Sequence, residues 1–155
     1  MGAGHQVTLP MPPRPVGSYE PVMIRRGIGT VSGQFPMRDG RLAFEGRLGA
    51  ELTVDAGREA ARLAALNVLA QISAATDGFA RLDGLLRLNG YVASADRFHD
   101  QPDVLDAAST CFLEVLGERG CHARAAVAVP FLPINAPIEL VVTFATDDQG
   151  PGTIL

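Results

Sequence analysis

The stretch HARAAVAVPFLPINAPIELVV, residues 122–142, decides how the chain folds. Two runs rich in small and β-branched residues, 123–129 and 138–144, read as strands, and the proline-studded segment 130–137 between them reads as a stiff loop. Each strand carries one charged side chain in an apolar setting, Arg124 in the first and Glu139 in the second. An isolated guanidinium in such a strand must reach water, pair with a carboxylate or hold an anionic ligand. Glu139 poses the same question. If the two strands pair through the loop, the two groups come near one pocket, as a structural ion pair or as an anion-binding arginine beside an acid–base carboxylate.

Upstream, residues 102–116 read as a helix, with Pro102 suited to the first turn, Gly117 beyond the end, and Val104, Leu105, Ala108, Cys111, Phe112 and Val115 on one stripe. Residues 85–93 read as a strand presenting Leu86, Leu88, Gly90 and Val92 on one face. A longer helix is predicted over 54–76: Thr53 is its N-cap, Asp55 favours the first turn, and Asp77-Gly78 stops it. Its stripe of Ala61, Ala64, Ala65, Val68, Leu69 and Ile72 allows close approach to a sheet. Earlier still, 22–26 and 28–33 read as strands around Gly27, and Asp39-Gly40 is a turn leading to an edge strand over 42–48. Arg25-Arg26 marks a solvated hairpin end, and Ser32 is a structural hydroxyl.

The order is three strands, helix, strand, helix, two strands: an α+β domain over 17–145, after a proline-rich extended arm, 1–16, and before a loose tail, 146–155. Helices joining strands of one sheet cover one face only. No helix remains for the other, and self-association is the simplest cover.

Composition narrows the chemistry. All 13 basic residues are arginine, which excludes a Schiff-base lysine, a pyridoxal phosphate anchor and a Walker-type lysine. A net charge of −4, with the arginines scattered among 17 acids, offers no nucleic-acid face. No apolar run approaches the ~20 residues that span a bilayer, and residues 1–15 lack the apolar segment of a secretory leader, so a cytoplasmic protein is expected. Cys111 reads as core and Cys121 as structural; His5, His99 and His122 lack ligand spacing, so no metal is expected. His122 shares its strand face with Arg124 by period-two alternation.

GSY at 17–19, VSGQFP at 31–36, EAARLAALNVL at 59–69 and the 122–142 stretch, in that order, resemble the reactive intermediate deaminase family, also called YjgF-like or endoribonuclease L-PSP-like. The resemblance covers roughly 17–144. It implies a chorismate-mutase-like two-layer fold, two helices on one face of a sheet, assembled as a homotrimer around the other face with three sites between subunits. It also implies hydrolysis of enamines or imines, such as 2-aminoacrylate, to 2-oxo acids and ammonia without a cofactor. By match, Arg124 pairs with the substrate carboxylate, helped by the backbone N–H of Ala126; Glu139 positions or activates water; Tyr19 lines the site and Gly33 borders the substrate. The chemistry agrees: a planar guanidinium holds a carboxylate by two hydrogen bonds, and hydrolysis of a protonated C=N needs one proton shuttle. The chain departs from the deaminase pattern at Asp106-Ala107, where an asparagine and an aromatic residue are usual, and at Ala125, where a serine is usual. A non-catalytic trimer binding small carboxylates or a protein partner is the first alternative, and an endoribonuclease the next.

Overall fold

Five of the strands build one mixed sheet, described in a computed structural model over residues 6–147. The strands are β1 (Val22–Arg25), β2 (Ile28–Gln34), β3 (Met37–Arg38), β4 (Arg41–Leu42), β5 (Leu82–Ala93), β6 (Ala123–Val129) and β7 (Ile138–Thr146). The helices are α1 (Val54–Ala75) and α2 (Gln101–Leu116). His5 and residues 148–155 of the expected tail lie outside the described residues; Thr146, assigned to that tail by sequence, ends β7.

The main sheet runs β1-β2-β7-β5-β6, antiparallel throughout except for β5 and β6. Parallel neighbours need a crossover, and α2 supplies it. β6 and β7 are therefore not partners: β5 lies between them, and 130–137 crosses its end rather than closing a hairpin.

Both helices pack on one face, as the stripes required. α1 starts where Thr53 Oγ1 accepts a hydrogen bond from the Ala56 amide at 3.2 Å. It is left through Asp77 and Gly78, both with positive φ. Ala61, Ala64, Val68, Leu69 and Ile72 of α1 meet Val31, Leu88, Leu140, Val142 and Phe144 of the sheet in one buried cluster, each Leu, Ile or Phe contributing about 1.5–3 kcal/mol. Gly90 gives α2 its close approach, since a Cβ there would run into the Leu105 side chain. The opposite face carries Met23, Thr30, Asn89, Tyr91, Val127 and Val141, all half-buried or exposed.

Three expectations change. Residues 42–48 do not form a strand; Arg41–Leu42 pairs with Met37–Arg38 around the left-handed Asp39 and Gly40, and Gly46 at φ 108° breaks the extended run. Leu86 does not share a face with Leu88, because a register shift between Leu85 and Arg87 turns it to solvent. Cys121 is exposed, whereas Cys111 is core, its thiol pushed up to about 11 by burial. Among the described residues, no helix is long and apolar enough to cross a membrane.

Candidate active site

The side chains marked by the sequence fall into two groups. β6 is a sheet edge, and Arg124 stands beside Leu88 in the ladder, so its side chain emerges on the helix face alongside α2. There Nη1 donates to Asp106 Oδ1 at 2.8 Å and to Ser109 Oγ at 3.1 Å, while Nη2 reaches the Pro102 carbonyl at 3.4 Å. Nε has no hydrogen-bond partner among the described residues. The arginine side chain is 23% exposed and that of Asp106 58%, so the pair faces solvent through its acid. Ala126, beside Gly90, lies on the same face against the core.

His122 does share the helix face with Arg124. Its Nδ1 is 2.7 Å from the Gly120 carbonyl, its Nε2 is 2.9 Å from Ser109 Oγ, and Phe112 packs edge-on against its ring. Ser109, Leu113, Cys121, His122 and Arg124 line an open cavity of about 310 Å³.

Glu139 belongs to the second group. It is level with Tyr91 on β5, on the face away from the helices. Its carboxylate lies flush against Gly33; a methyl group on Gly33 would overlap it. Burial pushes the Glu139 carboxyl above the ordinary 4.5, and no cation among the described residues pairs with it. Gly33 and Tyr19 line a mostly apolar cavity of about 160 Å³ with Pro13, Val16, Phe35 and Ile134. Two buried amides of α1 hold its walls: Asn67 Nδ2 donates to the carbonyls of Phe35 and Met37, and Gln71 Nε2 to that of Pro13. Sequence reasoning passed over both, although polar residues four apart on an alanine stripe were the visible signal. Ser32 is structural, donating from Oγ to the Glu20 carbonyl at 2.6 Å.

The two groups do not meet within one chain. Arg124 is level with Leu88 and Glu139 with Tyr91, two strands apart and on opposite faces, a separation of roughly 14 Å between Cα atoms at ~4.8 Å per strand and ~3.3 Å per residue. The parallel β5–β6 pair causes this, because it inserts β5 where a hairpin would have joined the two charges. Among the described residues, no three His, Cys, Asp or Glu side chains could hold a metal ion together.

The family model described as "YjgF/chorismate mutase-like, putative endoribonuclease" matches residues 3–146. Protein TCP17 of Trypanosoma cruzi is 43% identical over 111 residues, 71% of this chain and 69% of that protein. The crystal structure of Atu1372 from Agrobacterium tumefaciens, a protein of unknown function, superposes with a TM-score of 0.82 at 40% identity, covering 85% of each chain. A "putative endoribonuclease" from Shewanella oneidensis MR-1 gives a TM-score of 0.86 at 35% identity, covering 90% of this chain and 92% of that one.

Proposed function

Since the chain belongs to the YjgF/chorismate mutase-like family, we propose that it is an imine deaminase of the cytoplasm, hydrolysing small 2-imino acids to 2-oxo acids and ammonia in sites shared between the subunits of a homotrimer. One observation carries this reading: Arg124 and Glu139 each keep an unused functional edge, and they stand on opposite faces of one sheet. A second copy covering the open face would supply the half that each chain lacks.

In such a site the substrate carboxylate takes the Nε edge of Arg124, helped by the Ala126 backbone N–H. Water adds to the C=N carbon as Glu139 accepts its proton. The resulting carbinolamine collapses: the C–N bond breaks, the C=O forms, and the proton leaves with ammonia. A carboxyl whose pKa is raised by burial suits both steps, since it gains and loses a proton nearer neutrality. Tyr19 walls the pocket, and Gly33 leaves the carboxylate room. No cofactor or metal enters this scheme.

Ammonia release from 2-iminopropanoate and 2-iminobutanoate, generated in situ by an amino-acid oxidase, tests the proposal. Acceleration over buffer, abolished by Arg124→Ala and by Glu139→Ala, is the expected result; none with any imine, from folded protein, overturns it. A specific observation favours one rival. The Asp106–Arg124 pair already meets part of the guanidinium, as a non-catalytic carboxylate binder could retain, and binding without turnover would bring that reading forward. An endoribonuclease is less favoured by a net charge of −4 without lysine.

A further inference from the structure

The hydrogen bonds around Ser109 have a fixed direction. A guanidinium only donates, so Arg124 Nη1–H points at Ser109 Oγ. A carbonyl only accepts, so the proton of His122 Nδ1 points at Gly120 O. In the neutral ring Nε2 is then the bare nitrogen, and it accepts the Ser109 hydroxyl proton across 2.9 Å. The result is a directed chain, Arg124 to Ser109 to His122 to Gly120, with a hydroxyl placed between a cation and a base. Phe112, edge-on to the imidazole, and the Gly120 carbonyl fix the ring. Serine, histidine and arginine together line the 310 Å³ cavity, so the chain opens onto space where a small molecule fits.

We propose that Ser109 and His122 form a proton relay acting on the carbon beside the C=O or C=N of a small carboxylate held by Arg124. The nature of that ligand, a 2-oxo or 2-imino acid, rests on the deaminase reading; the relay itself goes beyond it. As Ser109 Oγ takes a proton from C3 of the bound acid, its own proton passes to His122 Nε2. The C3–H electron pair becomes the C2=C3 bond, and the C=O or C=N gains the negative charge or a proton from water. The reverse transfer returns a proton to C3. The same relay interconverts an enamine with its imine, the step that must precede hydrolysis when the substrate arrives as an enamine. Ser109 is the catalytic group in this scheme; His122 acts through it.

Deuterium exchange at C3 of 2-oxobutanoate in D2O, followed by proton NMR with the whole protein, reads this step without any hydrolysis. The wild type should accelerate loss of the C3 signal. Ser109→Ala should lower the enzymatic rate about 100-fold, within the range of general acid–base contributions. His122→Gln should fall similarly, and adding imidazole to His122→Gly should restore part of the rate, which a merely structural histidine would not allow. Wild-type exchange unchanged in Ser109→Ala overturns the relay. So does absence of exchange while 2-oxobutanoate still binds and Arg124→Ala abolishes that binding, a result that leaves the deaminase reading standing. Failure of any 2-oxo or 2-imino acid to bind removes both proposals. Exchange through the relay without ammonia release from imines removes the hydrolase reading alone.

Discussion

Arg124 and Glu139 stand on opposite faces of one sheet, with β5 between their strands. If both serve one reaction, they come from different copies. Arg124→Ala and Glu139→Ala proteins, each inactive, should therefore regain activity when unfolded and refolded together. Random assortment into the proposed trimers would leave about a quarter of the interfaces with both groups intact, by the symmetry of a heterologous ring. Mixed samples that stay inactive, although mass spectrometry shows mixed trimers, would mean that both groups act from one chain.

Glu139 gives a pH signature. Burial raises its carboxyl pKa in the fold above the ordinary 4.5, so the charged form is disfavoured there. Stability from the protonated form is complete below the unfolded value and is lost as pH rises through the folded one. Glu139→Gln should melt above the wild type at pH 7, with the gain shrinking toward pH 4. Thermal melts of both proteins across that range decide it; a Gln variant melting lower at neutral pH would mean that a cation outside the chain holds Glu139 ionised.

If Arg124 holds the ligand, its pair with Asp106 sets the charge that the ligand meets. Asp106 Oδ1 already takes one Nη1 proton, and the acid is largely exposed. Asp106→Asn keeps an acceptor oxygen and removes the competing charge. Exposed pairs of this kind are worth about 0.2–1 kcal/mol, so 2-oxobutanoate should bind roughly 1.4- to fivefold tighter. Calorimetry checks this, and weaker binding by the variant would show that Asp106 helps hold the ligand instead.

Local signals carried most of the fold. Thr53 and Asp77-Gly78 bracketed α1 to within one residue, and the alanine stripe identified its buried side. Asp39-Gly40 placed the small hairpin. What the sequence hid was non-local. Nothing within 122–142 says that β6 pairs with β5, the strand before α2, rather than with the strand that follows it. Leu86 was misplaced because a bulge shifts the alternation by one residue, which no local pattern announces. Ser109 could have been found: Asp106 and Ser109 lie three apart on α2, a polar pair on one helix face that suits an arginine on a neighbouring strand. Arg124 and Glu139 stood out as charges in apolar strands, but their distribution over two faces is a property of the topology.

Asn67 ties the helix layer to the site. It is 1% exposed in the middle of α1, and its Nδ2 donates to Phe35 O at 2.9 Å and Met37 O at 3.0 Å, while Oδ1 finds no partner among the described residues. Those carbonyls belong to the segment just after Gly33, and Phe35 and Met37 wall the Tyr19 cavity. Asn67→Ala takes away the donor of both bonds and leaves Met37 O without its partner, at a cost of about 1–3 kcal/mol, or roughly 2–10 °C in Tm for a domain of this size. Asn67→Asp should be worse, since a buried carboxylate sets acceptor against acceptor. Activity should fall with KM rising more than kcat changes, because the wall of the cavity moves rather than the reacting groups. If Asn67→Asp melts with the wild type, the amide is not the clamp, and the segment beside Gly33 is held by its own turn.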